Sequence, residues 1–211
     1  ETTARLKDPE QQRKLMTIIE EDVTRLDRLI SDISDASRLD AELSRTETTV
    51  IDLGAMLKTL TDIHNSTQGT KNKVKFANKA LDHSYSMHVD GMEGRIAQVF
   101  RNLISNAISF SPEEGVIIVT MSVENGFAHI TIDDQGLGIP LGKEAAIFER
   151  FYTQRRGGEK FGTHSGLGLS ISRQIAEAHG GTIQADNRKD DKGKVLGARF
   201  IVKLPLVDIP K

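Results

Sequence analysis

The stretch from 116 to 133 constrains this chain most. Apolar and polar residues alternate over 116–123 and again over 127–133, with Glu124-Asn125-Gly126 between them. That pattern predicts two half-buried strands joined as an antiparallel hairpin. A hairpin with one apolar face must cover that face, and the flanking sequence supplies helices to do so. Residues 95–109 carry Ile96, Val99, Phe100, Leu103 and Ala107 at helical spacing, and 167–178 form a second helix stopped at Gly180-Gly181. A third, capped by Asp52, places Leu53, Met56, Leu57, Leu60 and Ile63 on one face. Strands are expected at 74–77, 85–90, 182–185 and 198–204. Runs of strands and helices with hairpins predict an α+β fold, a two-layer α/β sandwich rather than a doubly wound parallel sheet.

The N-terminal part obeys another period. A helix opened by Pro9 is expected over about 9–41, with Leu15, Ile19, Val23, Leu26, Ile30 and Ile33 close to the 3.5-residue repeat of a coiled-coil seam. Such a helix is ~50 Å long at about 1.5 Å per residue and cannot bury its stripe alone. It calls for a partner helix, and residues 1–6 read as the end of one. Packing against its own domain is the alternative. The polar run 44–49 reads as a linker, giving two units, 1–47 and 48–211.

Composition narrows the chemistry. Among 211 residues, 28 Lys+Arg against 30 Asp+Glu leave a net charge of -2, which argues against bulk nucleic-acid binding. With no Cys, disulfides, thiolate metal sites and Cys nucleophiles are all excluded. No apolar run approaches the ~20 residues of a spanning helix, and no signal peptide opens the chain. Because residue 1 is Glu, the natural N-terminus is expected to lie upstream.

Four groups could carry chemistry. Gln98, Asn102 and Asn106 lie four residues apart, so their carboxamides form one row on a helix. Neutral oxygens suit a Mg²⁺ that also binds phosphate, since carboxylates there would repel a triphosphate; solvated amides are the plainer reading. Next, Asp133-Asp134-Gln135-Gly136-Leu137-Gly138-Ile139-Pro140 follows an apolar strand. Its glycines admit a flat ligand, and an Asp there can accept from an exocyclic amino group; an ordinary turn competes. Third, Gly162-Thr163-His164-Ser165-Gly166-Leu167-Gly168-Leu169 opens a helix and offers backbone N–H groups to an anion, or is a flexible loop. Finally, Phe148-Glu149-Arg150-Phe151-Tyr152 leads into a segment with Arg155, Arg156 and Lys160 that could close over phosphates, or be solvated.

Taken in order, Asn-x-x-x-Asn, Asp-x-Gly-x-Gly, Phe-x-x-Phe and Gly-Leu-Gly-Leu resemble the N, G1, F and G2 boxes of the sensor histidine kinase ATP-binding domain. This domain belongs to the gyrase/chaperone/histidine-kinase/mismatch-repair (Bergerat, GHKL) superfamily. The resemblance covers roughly 49–206, and the preceding helix looks like part of the kinase dimerisation hairpin; overall the chain is similar to membrane sensor kinases of alphaproteobacteria. The resemblance implies ATP and Mg²⁺ as cofactors, with Asn106 as metal ligand and Asn102 beside the phosphates. It implies that Asp134 reads adenine, Gly136 and Gly138 leave room for the ring, Phe110 stacks on it, and Ile139, Leu169 and Phe200 wall it. Ser165, Gly166, Leu167 and Gly168 would meet the phosphates. Arg150, Tyr152 and Arg155 would belong to the lid, Arg150 and Asn102 acting in catalysis. The implied partners are a response-regulator receiver domain and, through the hairpin, a second copy, without nucleic acid or membrane contact by this part. The implied location is the cytoplasmic portion of an inner-membrane sensor.

Two departures stand out. Ser109 replaces the family's usual Lys, and none of the six histidines (His64, His83, His88, His129, His164, His179) sits in a phosphoacceptor context. The acceptor is therefore expected upstream of Glu1, and this chain alone should not label itself with γ-phosphate. A degenerate binding or scaffolding module is the alternative. A gyrase-like hydrolase is disfavoured, because Asn102 stands where that chemistry wants a Glu base.

Overall fold

The computed structural model describes residues 9–43, 48–66, 71–79, 87–153 and 165–208. Helix α1 (Pro9–Leu43) is followed by β1 (Thr49–Asp52), α2 (Leu53–Ser66), β2 (Lys73–Asn78), β3 (His88–Gly91) and α3 (Glu93–Phe110). Then come β4 (Val116–Glu124), β5 (Phe127–Asp133), a 3₁₀ turn (Ala146–Phe148), α4 (Gly168–Ala178), β6 (Thr182–Lys189) and β7 (Val195–Pro205).

Five strands form one mixed sheet in the order β2-β4-β5-β7-β6, with β2 parallel to β4 and the other pairs antiparallel. The β4–β5 hairpin turns where expected, on Asn125 and Gly126, both at positive φ. Alternation then decides the layers. Ile117, Val119, Met121, Ala128, Ile130, Ile132, Phe200, Val202 and Leu204 are buried, whereas their strand neighbours Ile118 and Arg199 are exposed. Helices α2, α3 and α4 cover the buried face, Phe100, Leu103, Leu57 and Ile171 filling the space between. This is the two-layer α+β sandwich. Asp52 caps α2 as anticipated, its Oδ1 accepting from the Ala55 N–H at 3.0 Å.

Three features differ from the sequence reading. The segment assigned to a linker gives way at Thr49 to β1, which pairs antiparallel with β3. Strand β6 continues past Ala185 to Lys189, with a bulge between Arg188 and Lys189. The strand expected from Tyr85 begins at His88, its first residues lying outside the described ones, as do the expected helix end at 1–6 and His83 and His164.

Helix α1 touches α4, yet its stripe stays open: Ile19, Val23, Leu26, Ile30 and Ile33 are all exposed. No helix among the described residues is long and apolar enough to cross a membrane.

A second ordered contact fixes the helices to one another. His179, just after α4, accepts from the Met92 N–H through Nε2 at 3.0 Å, and its Nδ1 lies 2.7 Å from the Ile175 carbonyl. A carbonyl cannot donate, so the neutral tautomer carries its proton on Nδ1. The start of α3 is thereby tied to the end of α4.

Candidate functional site

The site lies where β5 ends, between α3 and the start of α4. Asp134 is buried, at 3% exposure. Its Oδ1 accepts from the Gly136 and Ala198 N–H groups, both at 2.8 Å. Oδ2 has no hydrogen bond to another described residue and is the oxygen left for a ligand. Burial pushes the Asp134 carboxyl above its ordinary range; the Ala198 and Gly136 N–H groups and the Arg188 charge pull the other way, while Asp133 adds to the rise.

Close backbone approach explains the glycines. A Cβ on Gly136 would stand 2.5 Å from the Phe110 carbonyl oxygen at the end of α3. Gly138 has φ +78°, and a Cβ there would strike Asn187 Oδ1. Both glycines therefore let the loop fold tightly against its supports.

Those supports come from β6 and β7. The Asn187 carboxamide grips the Ile139 backbone from both sides, Oδ1 accepting from its N–H and Nδ2 donating to its carbonyl, each at 2.7 Å. Arg188 Nη1 donates to the Asp134 carbonyl at 2.8 Å, and its Nε lies 3.5 Å from Asp133 Oδ2. Arg199 closes on Asp133 bidentately, with both contacts at 2.7 Å. Gly197, in mid-strand with φ +146°, leaves no room for a Cβ against the Asp134 carbonyl oxygen. Ser111, which ends α3, accepts from the Gln135 N–H at 3.2 Å.

The amide row faces the other helix. Asn102 Nδ2 donates to the Gly168 carbonyl at 3.2 Å and lies 3.3 Å from Ser172 Oγ, which itself donates to that carbonyl at 2.8 Å. The amide orientation is thus fixed, leaving Oδ1 without a partner among the described residues. Asn106, one turn on, is half-buried and has no side-chain hydrogen bond to another described residue. Gln98 instead accepts from Arg95 Nη1 at 2.9 Å, so the row divides into two amides at the site and one outside it.

Helix α4 opens at Gly168 with no side-chain cap on its first turn. Ser165 turns inward, its Oγ accepting from the Leu167 N–H at 3.2 Å. Uncapped N–H groups and the positive end of the helix dipole suit an anion. Gly166 has φ +70°, and a Cβ there would lie 2.8 Å from the Phe151 carbonyl carbon. Its own carbonyl accepts from the Phe151 N–H at 2.9 Å, so the two ends of segment 152–165 are held together.

Of the remaining expected residues, Arg150 is exposed, while Tyr152 and Leu169 are half-buried. Leu167 and Ile139 are buried, at 2% and 8% exposure. Phe110 ends α3 directly beside Gly136. Phe200 is a core residue, packed edge-on to Phe148 at 6.4 Å. Arg155, Arg156 and Lys160 lie outside the described residues. Ser172, Asn187, Arg188 and Gly197 escaped the sequence reading; only Gly197 carried a usable signal, since an isolated glycine in a strand marks close backbone approach.

The metal question has a chemical answer. Among the described residues no group of three or more His, Asp or Glu could hold an ion. A lone unpartnered amide oxygen at Asn106 fits instead an ion that brings water and phosphate oxygens as its other ligands.

Comparison with known proteins agrees with this arrangement. A family model described as "Histidine kinase-, DNA gyrase B-, and HSP90-like ATPase" matches residues 91–208. Sensor protein ChvG of Rhizobium meliloti (strain 1021) is 47% identical over 209 residues, 97% of this chain and 36% of that protein. Sensor protein ChvG of Agrobacterium fabrum (strain C58) is 47% identical over 212 residues, 99% of this chain and again 36% of that protein. This chain thus spans little more than a third of the curated relatives it matches. Histidine kinase ThkA, solved in complex with response regulator protein TrrA, superposes with a TM-score of 0.68 at 26% identity, covering 96% of this chain and 53% of that one.

Proposed function

Since the chain belongs to the histidine kinase-, DNA gyrase B- and HSP90-like ATPase family, we propose that it is the phosphoryl-donating part of a two-component sensor kinase of the ChvG type. The observation that carries this reading is the buried Asp134 carboxylate. One of its oxygens is committed to two backbone N–H groups, and the other has no hydrogen bond to another described residue.

Asp134 Oδ2 accepts a hydrogen bond from the exocyclic amino group of adenine, with Phe110, Ile139 and Leu169 around the ring. The triphosphate runs from there toward Asn102, Asn106 and the uncapped start of α4, where Gly166 and Gly168 let backbone N–H groups approach it. Asn106 would hold Mg²⁺, which would supply positive charge beside the phosphates. Arg150 and Arg155 supply positive charge from the lid segment. Little covalent chemistry is left for the protein, so catalysis consists of positioning and charge stabilisation.

The γ-phosphoryl passes to a histidine outside these 211 residues and then to an aspartate of a response-regulator receiver domain. The open stripe of α1 pairs with helices of its own hairpin and of a second copy, 1–47 serving as the dimerisation unit and 48–211 as the catalytic one. The chain is the cytoplasmic part of an inner-membrane sensor.

Titration with Mg·ATP by calorimetry tests the reading. Wild type should bind, and Asp134→Ala should weaken binding roughly 10- to 150-fold, the worth of a buried hydrogen bond to a charged group, ~1.5–3 kcal/mol. Equal affinities would remove the adenine assignment.

A further inference from the structure

The adenine reading, on which this inference rests, makes Asp134 the recognising group but leaves open what keeps a buried carboxylate charged and correctly aimed. Two backbone N–H groups hold one of its oxygens. A full positive charge reaches the same residue from β6. Arg188 is largely buried at its side chain (24% exposed), donates from Nη1 to the Asp134 carbonyl at 2.8 Å, and stands 3.5 Å from Asp133 Oδ2 through Nε.

We propose that Arg188 is a positioning residue for nucleotide recognition: through the Asp134 carbonyl it fixes the turn that carries this carboxylate, and its charge holds the carboxylate ionised. The pH range over which the chain binds ATP is thereby set by a residue that does not touch the nucleotide.

The surroundings single out Arg188 from the other charges. On β5, Asp133 is the neighbouring like charge, and Arg199 of β7 neutralises it with two contacts of 2.7 Å. Arg199 makes no hydrogen bond to Asp134 among the described residues and is shared with Asp186 of β6, whose charge also acts on it. From α3 only neutral groups reach this turn, the Phe110 carbonyl and the Ser111 hydroxyl. From β7 come the Ala198 N–H and Gly197, which has no side chain. Arg188 is therefore the one cation among the described residues that bridges the two carboxylate-bearing residues. Asn187 and Arg188, adjacent near the end of β6, both serve the same loop, Asn187 at the Ile139 backbone and Arg188 at the Asp134 carbonyl.

The test reads the carboxylate directly. Chains labelled with ¹³C in the Asp carboxyl are titrated without nucleotide as wild type, Arg188→Gln and Arg188→Lys, with Asp134→Asn assigning the signal. Removing a cation at this range should raise the Asp134 midpoint by about one pH unit in Arg188→Gln, and Arg188→Lys should return it most of the way. Calorimetry with Mg·ATP should follow: the ratio of variant to wild-type Kd should grow about twofold between pH 8 and the pH range separating the two midpoints. In the wild-type chain, the Arg188 guanidinium nitrogens should also titrate with the Asp134 midpoint, a measurement that needs no variant to fold.

An Asp134 midpoint unmoved in Arg188→Gln, or a guanidinium signal flat across that midpoint, overturns the proposal. If in that case Asp134→Asn still weakens ATP binding, the adenine reading survives. If Asp134→Asn binds like wild type, the adenine reading falls, and this proposal with it.

Discussion

Asn187→Ala removes both hydrogen bonds that clamp the Ile139 backbone, each 2.7 Å long. A typical bond contributes about 1 kcal/mol net, and a buried group left without a partner costs about 1–3 kcal/mol. Ile139 is 8% exposed, so water replaces the lost partners poorly. The expected loss of stability is about 2–4 kcal/mol, a fall in Tm of about 5–15 °C for a chain of this size. Urea unfolding followed by far-UV circular dichroism measures it. A double-mutant cycle sharpens the reasoning. A Cβ on Gly138 would strike Asn187 Oδ1 as well as lie 2.6 Å from Val195 Cγ1, at φ +78°. Gly138→Ala should therefore cost less in the Asn187→Ala background than in wild type, by about 0.5 kcal/mol or more. A loss under about 0.5 kcal/mol for Asn187→Ala would refute the clamp, and strict additivity would refute the claim that Asn187 is what confines position 138 to glycine.

Three further outcomes are expected. Gly166→Ala combines a left-handed φ of +70° with a Cβ 2.8 Å from Phe151 backbone that cannot rotate away; calorimetry should show a loss of about 2 kcal/mol or more, and a Tm within 1–2 °C (roughly) of wild type would contradict the close approach. The raised Asp134 carboxyl fixes the signs of two pH effects. The folded chain holds that proton more tightly than the unfolded one, so this group's contribution to stability should fall as pH rises from the ordinary carboxylate range through the raised value. ATP affinity should move oppositely, weakening as pH drops through the raised value and the acceptor becomes neutral, by about fivefold; the chain lacking that carboxylate, Asp134→Asn, should lose both dependences in matched melts and titrations.

How far the fold could be read depended on how much of each element faces the core. Helix α3 buries Ile96, Val99, Phe100, Leu103 and Ala107, and the β4–β5 hairpin alternates cleanly, so periodicity located both. Strand β1 offers four residues of which only Ile51 is buried, too short a stretch for alternation to register. The end of β6 is hidden for another reason. Asn187-Arg188-Lys189 reads as a polar loop, because the Asn187 and Arg188 side chains serve the adjacent turn instead of the core. The stripe on α1 was legible as a stripe, and Ile19, Val23, Leu26, Ile30 and Ile33 are exposed in the structure.

The site divides along the same line. Asp134, Gly136 and Gly138 lie within five residues of one another, and Gly166 and Gly168 open α4, so the composition of a short window exposes them. Their supports are spread along the chain: Ile139 is held from 48 residues away and the Asp134 carboxylate from 64. No local pattern encodes such a pairing, and an Asn or Arg at a strand end is ordinary surface composition when read alone. The physical asymmetry follows from what each group must do. A residue that meets a ligand needs an unusual side chain or backbone freedom, which sequence displays. A residue that holds it needs only to be in reach once β7 has folded back beside β5 and β6 beside β7, so its role exists in the three-dimensional arrangement and nowhere shorter.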